Sequence, residues 1–144
     1  MIEERSSGVV VVTQPGGHIA TGESPEEAVV RETLEETGCK VVISGFLGVY
    51  LWIHPQSRQN FLRLVYTARM IKENISRQLD KGVRGVHWYS LADIQHRKRD
   101  LRSPIVLRCV EDYVAGKFQP ENTLAGMTPI QQNVAAVMAN AHLV

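Results

Sequence analysis

Cysteine is nearly missing from this chain: Cys39 and Cys109 are its only two. Neither has a metal-ligand spacing, and two cysteines do not make a disulfide framework. Both are expected to be buried, reduced thiols in a cytoplasmic protein. Aromatic residues are sparse at 6%, and the formal net charge is only +1. That balance gives no push toward nucleic acid or an anionic membrane. The one short basic run, Arg97-Lys98-Arg99, reads as a solvated surface. No apolar run approaches the ~18 residues of a spanning helix, and no charged-then-apolar leader is visible, so neither secretion nor a membrane anchor is expected. Internal repeats and low-complexity tracts are also lacking. His54, His87, His96 and His142 form no ligand cluster along the sequence.

What remains is ordinary for a soluble globular protein, 44% apolar and 22% charged over 144 residues. One domain with a proper core is expected over residues 1–125, followed by a tail over 126–144.

One stretch organises the chain: Gly17 to Cys39, GHIATGESPEEAVVRETLEETGC. Pro15-Gly16-Gly17 is a turn that lets backbone approach a ligand closely. Ser24-Pro25-Glu26-Glu27 is a helix start, with Ser24 as N-cap, Pro25 in the first turn and Glu27 closing a capping box. Gly38 is placed to stop the helix as a left-handed cap. Glu32, Glu35 and Glu36 then fall at i, i+3 and i+4, on one helix face. Crowded carboxylates repel unless a cation sits among them, and Mg²⁺ takes just such oxygen ligands together with water and phosphate. Arg31 can reach Glu35 one turn on. The plainer alternative is a solvated acidic face, and the glycine turn and the two caps argue against it.

The stretch resembles the signature box of the Nudix hydrolases, GX5EX7REUXEEXGU with U a bulky apolar residue. Gly17, Glu23, Arg31, Glu32, Glu35, Glu36 and Gly38 match its fixed positions. Such a match arises by chance at about 10⁻⁸ per starting point. Thr33 and Cys39 depart from the usual aliphatic residues but are small enough to pack. Outside the box, Gln14-Pro15-Gly16-Gly17-His18, Tyr50-Leu51-Trp52, Leu62-Arg63-Leu64, Leu79-Asp80-Lys81-Gly82, Trp88 and Leu101-Arg102-Ser103-Pro104 are similar to the NudJ-type branch. Cys109 to Tyr113 and Ala115-Gly116-Lys117 extend that similarity. The resemblance implies hydrolysis of nucleoside di- and triphosphates, or of thiamine-type pyrophosphates, with release of orthophosphate.

It also implies an α/β fold, an α/β/α sandwich with a mixed sheet, here lacking the family's first strand. Either the start is mis-assigned or the sheet carries an open edge. Along the chain, Met1–Arg5 and Gly8–Thr13 read as extended segments, and Val9–Val12 as a strand buried on both faces. After the box, Val41–Ser44 reads as a short strand and Phe46–Ile53 as an alternating one. Phe46, Gly48, Tyr50 and Trp52 share one face; Leu47, Val49, Leu51 and Ile53 share the other. Phe61–Met70 returns to complete a hairpin, Lys72–Arg84 reads as loop, and Val86–Tyr89 reads as a strand carrying Trp88. Ser90 caps a short helix, and Ser103-Pro104 opens one running to Ala115 with Val106, Val110, Tyr113 and Val114 as its apolar stripe. Thr128–Leu143 has a further Thr-Pro helix start.

By the same resemblance Glu32, Glu35 and Glu36, with the Gly17 carbonyl, hold Mg²⁺ or Mn²⁺. Glu32, Glu35 and Arg31 form the catalytic set: Glu32 or Glu35 is the general base, and Arg31 braces the carboxylates. Glu23 supports them from behind. Gly16, His18, Arg63 and Trp52 are the substrate-binding candidates. For each a plainer role stands beside the functional one: an ion pair for Arg63, a solvated histidine for His18, core packing for Tyr50 and Trp52. Asp80 is an outlying candidate base or a simple turn residue. The expected partner is a small pyrophosphate or nucleotide, with neither nucleic acid nor membrane, in a monomer or homodimer. Two other readings stay open: a different nucleoside-diphosphate-linked substrate, and a non-catalytic module on the same fold.

Overall fold

A computed structural model describes residues 1–6, 8–73, 76 and 78–124. Strand β1 (Ile2–Ser6) lies between β2 (Val9–Thr13) and β5 (Val83–Val86), antiparallel to both. A second antiparallel sheet is the long hairpin of β3 (Cys39–Ile53) and β4 (Asn60–Glu73). Helix α1 (Pro25–Thr37) connects the first sheet to the second; α2 (Leu91–His96) and α3 (Pro104–Val114) follow β5, and a 3₁₀ turn spans Glu121–Leu124. The α/β class expected from the sequence is the one observed. The parallel direction enters through an isolated bridge, Val12 to Leu101, where Val12 N–H donates to the Asp100 carbonyl (2.8 Å) and Arg102 N–H to that of Val12 (3.0 Å). The helix expected over Thr128–Leu143 lies outside the described residues.

Helices α1 and α3 both pack on β3. Leu47, Ile105 and Cys109 form a buried cluster against which Tyr50, Trp52 and Val65 pack. Gln14 Nε2 donates to the Val106 carbonyl (2.9 Å), tying the loop after β2 to α3.

Several sequence expectations need correction. Val9 and Val10 are 60% and 44% exposed, because β2 is an edge strand with one partner. The two strands expected over residues 41–53 are one, bent where Ser44 and Leu47 have no partner across the hairpin. Each unpaired residue reverses the alternation, so Leu47 joins the face of Tyr50 and Trp52 instead of opposing it. Trp88 lies beyond β5 and is 78% exposed. In α3 the buried positions are Ile105, Val106, Cys109 and Asp112, while Tyr113 and Val114 are exposed. A buried aspartate hid that stripe from a hydrophobic count.

Candidate active site

Helix α1 begins and ends as its sequence dictates. Ser24 Oγ accepts from Glu27 N–H (3.2 Å), and Glu27 Oε2 accepts from Ser24 N–H (2.8 Å). Gly38 adopts φ +71°, and its N–H donates to the Leu34 carbonyl (3.0 Å). With both ends fixed, the phase of the carboxylate face is fixed too.

The glycine turn lies directly over that face. Gly16 N–H donates to Glu36 Oε2 (2.8 Å). A β-carbon on Gly17 would stand 2.2 Å from Glu32 Oε1 and push that carboxylate aside, so glycine lets the turn sit over it undisturbed. Arg31 is the hub. Its Nε and Nη2 grip both oxygens of Glu23 (2.7 and 2.8 Å), while Nη1 reaches Glu32 (2.8 Å) and Glu35 (3.0 Å). Nη2 also donates to the His18 carbonyl (3.1 Å). His18 therefore contributes its backbone here, and its side chain is exposed. Glu23 further accepts from Ala20 N–H (2.9 Å). The Arg31 guanidinium and that backbone bond hold the Glu23 carboxyl at about 2, and the bonds to Glu23, Glu32 and Glu35 push the Arg31 pKa up.

Glu36 is in the opposite condition. Burial raises its carboxyl to about 7 against the pull of the Gly16 N–H, and the nearby charges of Glu32, Glu4 and Asp80 add to the rise. Sequence reasoning missed Glu4 altogether. It arrives from β1 and is paired with Arg102, and only the tertiary pairing brings it here. Asp80, the outlying candidate, donates its backbone N–H to the Glu35 carbonyl (3.2 Å), which places its loop against α1.

Arg63 sits opposite Tyr50 on the hairpin and is half-buried. Among the described residues it has no ion pair or side-chain hydrogen bond, so the ion pair weighed for it is not formed. Burial and the neighbouring Arg102 lower its pKa, while Glu4 and Glu36 act in the other direction. Tyr50 is committed elsewhere: its hydroxyl donates to Asp112 Oδ2 (3.2 Å). Trp52 instead meets His54 and Phe61.

Among the described residues no three acidic, histidine or cysteine side chains converge as a ready metal cage. The reason is visible, since Arg31 draws Glu32 and Glu35 together while Glu36 turns to Gly16. The donor set nevertheless suits a hard divalent cation: every acidic group is an oxygen ligand, and the charges of Glu32, Glu4 and Asp80 act against a charged Glu36.

Comparison with known proteins decides the family. The NUDIX domain model matches residues 3–109. The chain belongs to the Nudix family. A Nudix hydrolase from Nitrosomonas europaea superposes with a TM-score of 0.79 at 33% identity, covering 84% of this chain and 82% of that one. A Nudix-family hydrolase from Clostridium perfringens shares the fold at a TM-score of 0.54 and 20% identity, over 79% and 87% of the two chains. Proteins named Phosphatase NudJ from Shigella boydii serotype 4 and Escherichia coli K12 are each 29% identical over 120 residues, 83% of this chain and 77% of theirs. This Nudix protein is accordingly an acid-anhydride hydrolase acting on a small pyrophosphate-containing molecule. No helix among the described residues is long and apolar enough to cross a membrane.

Proposed function

We propose that this enzyme hydrolyses a phosphoanhydride bond of nucleoside di- or triphosphates, or of thiamine-type pyrophosphates, with a divalent metal and release of phosphate. The observation that carries this reading is the Gly16-Gly17 turn seated over the acidic face of α1, with Gly16 N–H on Glu36, Gly17 against Glu32, and Arg31 holding Glu32 beside Glu35. An acidic, oxygen-rich face fits a cation, and the half-buried Arg63, with no ion pair among the described residues, fits the phosphate that the cation accompanies.

Glu32, Glu35 and Glu36, with the Gly17 carbonyl, would hold Mg²⁺ or Mn²⁺. When bound, the ion supplies charge neutralisation at the phosphoryl oxygens and acidifies water. The chain's own groups do the rest. Glu32 or Glu35 takes a proton from the attacking water as its oxygen bonds to phosphorus. The bridging P–O bond breaks, and the electron pair leaves with the departing phosphate. Arg31 keeps the two carboxylates in place throughout, fastened from behind by Glu23. Arg63 orients a phosphate, the backbone at Gly16 and His18 borders it, and Trp52 meets the organic part. The Phosphatase NudJ relatives support a phosphate-releasing reaction. The reduced, buried Cys39 and Cys109 support a cytoplasmic setting.

The test is orthophosphate release with Mg²⁺ from nucleoside di- and triphosphates and thiamine-type pyrophosphates, run beside Glu35→Gln and beside a chelator. Release that collapses in both controls is expected. Undiminished release with chelator present would remove the metal from the mechanism, and undiminished release by Glu35→Gln would remove that carboxylate.

A further inference from the structure

Beyond Arg63 and Tyr50, the same face of the hairpin continues into three rings. Trp52 and Phe61 are cross-strand partners, with ring centres 5.6 Å apart at 32°. His54, just past the end of β3, stands edge-on to Trp52 at 5.1 Å and 6.4 Å from Phe61. The hairpin turn fixes the imidazole: Ser57 N–H donates to His54 Nδ1 (3.2 Å), and the His54 backbone exchanges hydrogen bonds with Gln59 and Arg58. One flank of Trp52 packs on the Ile105–Cys109 cluster.

The other flank of the group is open to solvent. Phe61 remains 36% exposed, and Trp52 and His54 are only half-buried. Trp52 Nε1 has no hydrogen-bond acceptor among the described residues. Phe61 lies two residues from Arg63 on β4, about 7 Å along the strand, which matches the scale of the sugar joining a diphosphate to its base. Arg63 in turn is near enough to Glu36 and Glu4 to feel their charge.

We infer that Trp52, His54 and Phe61 form a stacking platform for a planar nitrogen heterocycle, a purine or pyrimidine whose attached diphosphate extends past Arg63 to the carboxylates. The inference rests on the pyrophosphate-hydrolase reading of those carboxylates and adds the chemistry of the leaving molecule's far end. Aromatic faces accept any base by stacking, so the platform selects ring-bearing pyrophosphates over inorganic ones without choosing a base by hydrogen bonding.

Binding can be read without turnover. Trp52 and Trp88 are the only tryptophans, and Trp88 is exposed, so Trp88→Phe leaves Trp52 as sole reporter. With Mg²⁺ present, the α,β-methylene analogues of ADP and CDP should quench its fluorescence saturably. Methylenediphosphonate should not. Adding Phe61→Ala should weaken nucleotide-analogue binding about tenfold, and Phe61→Tyr should restore it. Equal quenching by methylenediphosphonate, no quenching by either nucleotide analogue, or unchanged affinity in Phe61→Ala overturns the platform. Quenching by a protein that releases no phosphate would instead overturn the hydrolase reading and leave the platform standing.

Discussion

Gly17 and Glu32 meet so closely that the missing side chain of one is the space occupied by the carboxylate of the other. An added methyl would lie 2.2 Å from Glu32 Oε1 and 2.4 Å from its carboxyl carbon. Gly17→Ala should therefore displace Glu32 while leaving the caps of α1 untouched. A displacement of about 1 Å in a catalytic group costs on the order of a hundredfold in rate. Phosphate release should fall by about that factor, with circular dichroism and thermal midpoint nearly unchanged.

Arg31→Lys keeps the charge and loses the fork. A single ammonium cannot grip both oxygens of Glu23 and also reach Glu32 and Glu35. Activity should drop about 10- to 100-fold, the range for groups that orient a site from behind. The Arg31 side chain is 33% exposed, so solvent screening keeps the stability loss small. Rates and melting curves of the same preparation would separate the two effects.

Acid should unfasten this hub. Glu23 titrates at about 2 in the folded protein against an ordinary value of 4.5, so the unfolded chain binds its proton first. Its contribution is complete above about 4.5 and is lost as pH falls from there through about 2. Asp112, held low by Arg108 and Lys117, acts in the same direction. Urea midpoints measured from about pH 4.5 down to about pH 3 should decline, and less steeply in Glu23→Gln; above that range Glu36, raised to about 7, acts in the opposite direction. An equal decline in the variant would assign the acid sensitivity elsewhere.

Asp112 closes the far side of the domain. Its carboxylate accepts from Tyr50 Oη (3.2 Å), Arg108 Nε (2.7 Å) and Lys117 Nζ (3.1 Å), with its side chain 8% exposed. Asp112→Ala would strand the Tyr50 hydroxyl against α3. A loss of about 2 kcal/mol in unfolding free energy is expected, measured by urea titration at neutral pH.

The box was legible because each of its constraints is local. A capping box, a C-terminal glycine and an i, i+3, i+4 triplet lie within one helix, and the structure reproduces all three. Glu4 was not legible, since its approach to Glu36 depends on how β1 pairs and not on any neighbour in sequence. Leu47 falls on the other face from the one its alternation predicts, because a single unpaired residue reverses strand parity; the isolated Gly48 beside it is the one signal of such a bulge in FLGVY. The aromatic neighbours of Trp52 were hidden for a related reason. His54 and Phe61 sit on opposite sides of a turn, and only the register that pairs Trp52 with Phe61 brings them together.

Helix α1 behaves as a ruler as well as a scaffold. Ser24 fixes one end and Gly38 the other, and each residue between them turns the helix by about 100°. Inserting or deleting a single residue between the caps would swing part of the carboxylate set away from the glycine turn, however conservative the residue chosen. Substitution can tune this enzyme's site; a change of length inside the segment abolishes it.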